Sequence, residues 1–589
     1  MKAPPELSLS VSSGFSIGTN HLGQFDRGDF AIREVVTKIW GAHEFRFGGE
    51  AVRISNHLIN TFQMAGNFTF NGQLSGNGLA DFVFGQASAF TQGGGEFKNL
   101  KGTRWGFFTQ DDWRVNQRLT VNLGIRWDPY IPYYDREGRV VCFQPNTTQK
   151  SVRYPNAPQG FLYGSDPGCP TAGVNPNWGN VEPRIGFAYR LTQDGKTSVR
   201  GGVGIYYTPI QSGGSFNGYG NTAPFAGTFA LQSVSFQDPY GSKGLANPFP
   251  SNFGPQVPGP SFVFAPNNSI VNYFPLDYHS PQLIMWSLRV ERQIGKDWVG
   301  SVAYIGNKGS ALPISMPQNP AIYIPGASSV ANTQQRRIYP IHSAITVTDP
   351  GGNSEYHALQ LNLEKRFARG LTLLSNYTYS KTLDNVSGTN PFTRRFEHSL
   401  SQNDIPNNFK LSAVWQVPGP KTSRILSKLL DGWSINPILT RQSGFPFTVT
   451  SGTDNSFTAV NSDRADYKGG GSAQLDYGRS HGDQILQWFD TSKFTVNAVG
   501  TFGNAGRYIL RGPRFFNTDL GILKGTKITE RVNLQFRAEL FDVFNNVNFS
   551  LPNSNRSSAQ VGRITSVIVD NFALPNSERI IQFGLKLTF

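Results

Sequence analysis

The sequence predicts an all-β chain, a transmembrane antiparallel β-barrel, and three observations carry that expectation. Apolar and polar residues alternate with period two in many segments, the links between those segments are short and long by turns, and the composition is rich in aromatics, Gly and Pro but poor in charge. The 589 residues include 45 Phe, 21 Tyr, 64 Gly and 37 Pro, while only 16% are charged. Disordered chains lack such aromatics, and helical ones do not carry so much Gly and Pro. Mean hydropathy is −0.33, and no apolar run approaches the roughly 18–20 residues of a spanning helix. A spanning strand needs only every second residue to be apolar, so a membrane barrel stays compatible with that value.

The alternation is plain in 120–128, where Val121, Leu123, Ile125 and Trp127 oppose Asn122, Gly124 and Arg126. In 531–542, Val532, Leu534, Phe536, Ala538 and Leu540 oppose Arg531, Asn533, Gln535, Arg537 and Glu539. Phe409, Leu411, Ala413 and Trp415 alternate with Lys410, Ser412 and Gln416, and the chain closes with Ile581, Phe583, Leu585, Leu587 and Phe589 against Gln582, Gly584, Lys586 and Thr588. Such strands have oil on one side and water on the other.

Connection lengths add direction. Segments 30–40 and 43–54 are joined by Gly41-Ala42, 104–114 and 119–128 by VNQR, and 184–191 and 198–207 by TQDGK. Segments 283–293 and 298–305 are joined by IGKD, 356–367 and 371–382 by Ala368-Arg369-Gly370, and 514–523 and 531–542 by KGTKITE. A longer link, PGPKTSRILSKLLD, joins 408–417 to 432–443. Between these pairs lie the polar segments 129–183, 208–282, 306–355, 383–407, 444–513 and 543–579. Long structureless loops are uncommon in compact soluble domains, whereas an outer-membrane barrel has short periplasmic turns and long extracellular loops. With Phe589 periplasmic, every assignment follows without a parity error. The count is about fifteen strands with 7–17 as a sixteenth, each placing about 9–12 residues in the membrane. Segment 66–100 reads as an extracellular loop with a short helical turn. No repeat of 20–50 residues supports a propeller or solenoid.

The formal net charge is +14, but the 53 Lys and Arg are scattered and no zinc-finger, RRM or helix-turn-helix pattern occurs. Nucleic acid is therefore set aside as a partner. The cations read as spread over a large surface, some facing outer-membrane lipid and anionic lipopolysaccharide. Cys142 and Cys169 share one Pro/Gly/Asn-rich segment and are candidates for a loop disulfide in an exported protein. Met1 is followed by KAPPELSLSVSS, which has no basic n-region and no apolar core. That start is not a signal peptide, so the chain is expected to be a fragment.

Catalysis finds little footing. The eight His residues (21, 43, 57, 279, 342, 357, 398, 481) form no HExxH and have no CxxC partner, and no strand-to-helix nucleophile elbow is read, so neither an enzyme nor a cofactor is expected. Asp111-Asp112 beside Trp113 reads as polar lumen and interfacial Trp. Asp454, Asp463 and Asp466, in TDNSFTAVNSDRADY, are candidate Ca²⁺ ligands, although their spacing is not that of an EF-hand. The loop SFNGYGNTAPFAGTF reads either as a packed lid or as a surface that stacks on sugar rings or a siderophore. Trp40, Trp105, Trp113, Trp127 and Trp415 read as an interfacial girdle.

A series of stretches then resembles one family. They are GNGLADFVFGQ, FFTQDDWRVNQRLTVNLGIRWDPY, EYHALQLNLEKRFARGLTLLSNYTYSKTLDN, IPNNFKLSAVWQVPGP, RQSGFPFTVTSGTDNS, WFDTSKF, GTFGNAGRYILRGPRFFNTDLGILK, LQFRAELFDVFNNVNF and RIIQFGLKLTF. In this order they resemble the acidobacterial, Oar-like β-barrel group of TonB-dependent receptors across nearly the whole chain. The resemblance implies the cell outer membrane, a barrel of about 22 strands, and ligand uptake energised by TonB, without covalent chemistry. It implies a small-molecule, glycan or peptide ligand. It also makes the last strand, with Phe583, Leu585, Leu587 and the terminal Phe589, the feature that the outer-membrane assembly machinery recognises. Relatives carry a signal peptide, a TonB-interacting segment and a plug ahead of the barrel. Residues 1–589 are accordingly expected to be the barrel without its plug and first strands. The rival readings are a non-energised outer-membrane adhesin, scaffold or pore, a secreted carbohydrate-binding or hydrolytic β-protein, and an outer-membrane enzyme.

Overall fold

Among the described residues, fifteen strands follow one another as antiparallel neighbours in the computed structural model. They are β1 (Gly23–Trp40), β2 (His43–Asn60), β3 (Glu96–Arg114), β4 (Leu119–Trp127) and β5 (Val181–Arg190). Next come β6 (Thr197–Tyr207), β7 (Gln282–Ile294), β8 (Trp298–Pro317), β9 (His342–Ala368) and β10 (Leu371–Asp384). The run ends with β11 (Asn407–Gln416), β12 (Trp433–Gln442), β13 (Phe515–Lys527), β14 (Asn533–Phe541) and β15 (Ile580–Thr588). Each pairs with the next in chain order. Residues 7–12, 14–18, 23–61, 63–72, 74–208, 221–226, 228–247, 257–264, 268–330, 332–419, 430–460, 463–568 and 578–589 are described. Most of the link between β11 and β12, and His21, lie outside them.

Because neighbours in sequence are neighbours in the sheet, all the short turns fall on one rim. The tightest have the backbone that such turns require. Arg369 and Gly370, between β9 and β10, both have positive φ, 53° and 78°. That is the type I′ pattern whose twist matches the flanking strands.

Side chains alternate along a strand, so register carries a face from each strand to the next. On one face Arg126 opposes Glu182, Arg200 opposes Arg289, Gln360 opposes Thr378, Asn376 opposes Lys410 and Glu539 opposes Gln582. On the other Leu123 opposes Ile185, Val290 opposes Val302, Tyr304 opposes Leu359, Leu361 opposes Tyr377, Leu411 opposes Leu439 and Phe536 opposes Leu585. The apolar face is the exposed one: Ile125, Ile185, Leu288, Val302 and Leu361 are all open to the surroundings. A continuous exposed apolar band on a sheet is the face of a lipid-embedded wall. Leu585 and Leu587 lie on it, Lys586 and Thr588 on the polar face, and Phe589 is 94% exposed.

The run has two ends. β1 has a ladder with β2 alone and β15 with β14 alone, and among the described residues no register joins β1 to β15. All eighteen residues of β1 are exposed.

Three elements differ from the sequence expectation. Segment 7–17 is not a wall strand. Ser8–Val11 pairs in parallel with Asn67–Phe70, and Ser16–Ile17 pairs with Ser8–Val11, in a separate five-stranded sheet completed by Gln86–Gly93 and Thr228–Ser235. Its alternating apolar residues pack on Phe68, Phe70 and Phe90, a water-side core rather than lipid. Segment 66–100 contains the expected short helical turn, Gly78–Val83, capped by the Asn77 side chain accepting from Leu79 and Ala80 N–H, but it also holds two of these strands and the first residues of β3. Finally, β8 and β9 run far into the expected loop 306–355, Met316 opposing Val347. Their upper halves continue because they pack into a loop core with Ile314, Ile345, Phe143 and Tyr273.

Candidate ligand-facing surfaces: the lumen and the loop canopy

The polar face is held together by ion pairs that cross strands. Glu50 on β2 accepts from Arg33 on β1 at 2.9 Å and from Arg126 on β4 at 3.0 Å, with Arg104 on β3 at 3.7 Å. Arg126 also donates to Asp128 at 2.6 Å, and on β5 Arg184 donates to Glu182 at 2.5 Å. Asp112 accepts from Gln110 at 3.0 Å and from Asn122. These groups make a continuous hydrogen-bonding surface on the polar face of the wall.

Asp111 and Asp112 take opposite faces of β3, which adjacency in sequence requires of a strand. Asp111 faces outward and lies 2.7 Å from His43 Nδ1. The His43 ring stacks on Trp113 at 5.3 Å and Phe45 at 5.5 Å. This pair was not legible in the sequence, since it depends on β2–β3 register.

Above the wall the long loops pack on one another. Cys142 and Cys169 are disulfide-bonded, with Cα atoms 5.7 Å apart, and both are buried in a core with Val140, Leu162, Tyr130 and Tyr278. The ring of His342, at the long-loop tip of β9, stacks on Phe161 at 4.7 Å, and its Nε2 lies 2.9 Å from the Gln159 carbonyl. Phe225, from the aromatic-rich segment, packs against Tyr163 and Tyr154; residues 215–220 and 227 of that segment lie outside the described residues.

Three arginines tie segment 444–513 to segment 383–407. Arg464 pairs with Glu397 at 3.3 Å, Arg507 with Asp384, and Arg511 with Asp404. Arg464 also lies over the Phe396 ring at 3.5 Å, and burial pulls its guanidinium down to about 10 against the opposing pull of Glu397.

The three acids singled out for Ca²⁺ brace turns. Asp454 accepts from Ser456 Oγ at 3.0 Å and Ala459 N–H at 2.8 Å. Asp463 accepts from Ser456 N–H at 2.7 Å and Asn497 at 3.0 Å, and burial raises its carboxyl above the usual range. Asp466 accepts from the N–H groups of Ala498 and Asn504, each at 2.9 Å. Among the described residues no group of three or more His, Cys, Asp or Glu side chains is placed to hold a metal ion.

No curated protein matches the chain. Among solved structures it is similar to the outer membrane transporter YddB from Escherichia coli, at 10% identity and a TM-score of 0.49, covering 99% of this chain and 58% of that one. It is also similar to the siderophore receptor PirA from Acinetobacter baumannii, at 11% identity and a TM-score of 0.41, covering 96% and 55%. The chain thus spans less than two thirds of the length of the structures it matches. Residues 2–582 match the family described as "Outer membrane beta barrel domain". Over nearly its whole length, then, the chain belongs to the outer membrane beta barrel domain family and is a protein of the outer membrane.

Proposed function

We propose that residues 1–589 are the greater part of the wall of a TonB-dependent, Oar-like receptor that takes up a scarce solute. The observation that carries this reading is the two-faced wall of fifteen strands, apolar without and ion-paired within, under a canopy of packed loops. In this mechanism the loops capture the ligand, and a plug inside the wall changes its affinity when the inner-membrane energy system pulls on it. The Glu50 cluster offers the plug a polar seat. A water-soluble secreted protein is disfavoured by the exposed apolar band, which would aggregate in water.

Strand parity supports the further reading that wall strands are missing from residues 1–589. Fourteen antiparallel pairings separate β1 from β15, so the two run in the same direction. Joining them directly would make one parallel pair in an otherwise antiparallel wall. All-antiparallel closure needs an odd number of added strands, and hydrocarbon leaves no other partner for edge N–H and C=O groups. Two copies joined edge to edge meet the same parallel seam. The chain's upstream polypeptide is the source assigned here.

The test places residues 1–589, with and without their upstream polypeptide, in TonB-competent cells lacking a receptor for the ligand. Saturable, TonB-dependent uptake by the longer chain alone is expected. The same uptake by residues 1–589 alone would show the fragment reading to be wrong.

A further inference from the structure

The outer face of the wall carries a basic pocket where its apolar band ends. On β3, Trp113, Trp105, Thr103 and Lys101 share the outward face, and Trp113 lies at the short-turn rim. The two Trp residues are eight positions apart, about 27 Å along a strand at ~3.4 Å per residue. At a tilt of about 40° that is about 20 Å of height, close to the roughly 25 Å of an outer-membrane apolar band. The next outward residues toward the loops, Thr103 and Lys101, therefore stand at the outer head-group level.

Register brings further groups to that level. Arg53 opposes Thr103, Tyr134 opposes Lys101, and the Arg136 N–H donates to the Asn99 carbonyl at 2.9 Å, which continues the same ladder. Arg53, Lys101, Arg136 and Tyr134 line one pocket of about 400 Å³ with no carboxylate in its lining. The nearby acids are engaged elsewhere: Asp135 and Glu137 both pair with Arg139, at 3.3 and 3.0 Å. Lys101 donates to Ser55 Oγ, a neutral acceptor. Three cations in one pocket repel one another unless an anion sits among them.

A second outward pocket has the same chemistry. Tyr377, Phe409 and Arg441 form a cross-strand row on β10, β11 and β12, and with Arg514 they line a pocket of about 470 Å³. Cations beside aromatic rings at the loop end of an apolar wall match a lipid whose head group is anionic and whose chains lie on the band below.

We infer that the Arg53–Lys101–Arg136 pocket binds the phosphate of an outer-leaflet lipid head group, such as that of lipopolysaccharide, with the Arg441–Arg514 pocket as a second seat. This rests on the outer-membrane reading and names the lipid partner of that wall. Two guanidinium forks and an ammonium supply donors to several phosphate oxygens at once.

The test measures binding of diphosphorylated and dephosphorylated lipid A to detergent-purified residues 1–589 by native mass spectrometry. Replacing Arg53, Lys101, Arg136, Arg441 and Arg514 together by Ala is expected to weaken binding of the phosphorylated lipid on the order of a hundredfold, while replacing Arg53, Lys101 and Arg136 alone removes the lipid of one seat. The dephosphorylated lipid should bind wild type no better than the five-residue variant binds the phosphorylated one. A Lys196→Ala, Lys296→Ala variant, which removes cations from the short-turn rim, should leave binding unchanged, and heat-modifiable mobility checks that each variant is folded. Equal binding of the two lipids, or equal loss in the short-turn variant, overturns the proposal. Displacement by inorganic phosphate at millimolar concentration would make the pocket a site for free phosphate and overturn the lipid assignment. Detergent partitioning of the same samples reads membrane character separately, so a membrane-embedded chain without phosphate-dependent binding refutes this inference alone.

Discussion

Arg126 on β4 reaches across β3 to Glu50 on β2, Nη2 to Oε1, at 3.0 Å, and so joins residues 76 apart in the chain. Glu50 is the carboxylate that Arg33, Arg104 and Arg126 share. Replacing Glu50 by Ala leaves three guanidinium groups facing one another, whereas Gln keeps one acceptor. Glu50→Ala is expected to lower folding stability by about 1–3 kcal/mol, with Glu50→Gln between it and wild type. Denaturant titration in lipid vesicles measures this, and an unchanged midpoint in both variants would show the cluster to be energetically idle.

Leu361 and Gln360 are adjacent on β9 but take opposite faces, Leu361 opposing Val302 and Gln360 opposing Ala303. Leu361→Lys puts a charge into hydrocarbon and is expected to cost about 2–4 kcal/mol, while Gln360→Lys faces water and should cost less than about 1 kcal/mol. Equal costs in the same titration would contradict the assignment of faces.

Cys142 and Cys169 close a loop of sequence separation 27. Their double replacement by Ser is expected to destabilise the canopy by about 3.5 kcal/mol on the chain-entropy account. Limited proteolysis should then cut within 129–180 while the strands resist. Identical cleavage patterns for wild type and variant would remove the disulfide's structural role.

His342 lies beyond the membrane span read at 356–367, buried between aromatic rings, and burial lowers its pKa from 6.5. A histidine kept neutral by the fold contributes stability that is fully present above its unfolded value. That contribution is lost as pH falls below about 6.5 toward the folded value. Canopy proteolysis is therefore expected to accelerate between about pH 7 and 5, and the acceleration should shrink in His342→Phe. A variant with the full pH response would assign it to other groups.

β1 and β15 run in the same direction, so on the proposed reading, in which added upstream strands close the wall, they should not become neighbours. Cysteine pairs scanned between Gly23–Trp40 and Ile580–Thr588 in the longer chain are expected to stay uncross-linked. Efficient cross-linking at a constant register would demonstrate a parallel seam.

Local sequence was enough to write most of the wall. Alternation is a property of successive residues, so the two faces of 120–128 or 531–542 are legible without any partner, and so is each hairpin whose strands flank a turn such as Arg369-Gly370. What a polar segment does above the membrane depends on contacts distant in sequence. Leu7, Leu9 and Val11 alternate as a lipid-facing strand would, yet they pack beside Phe68, Phe70 and Phe90 in a loop-side sheet. Asp454, Asp463 and Asp466 had the oxygens to ligate a cation, and the fold turned each toward backbone N–H groups instead. His43 with Asp111, Arg126 with Glu50, and the Arg53–Lys101–Arg136 pocket exist because cross-strand register sets them side by side. The period of the chain thus determined which residues meet oil and which meet water, while the pairing of strands far apart in sequence decided which charges meet one another, because hydrogen-bond register is a property of two strands and is written in neither alone.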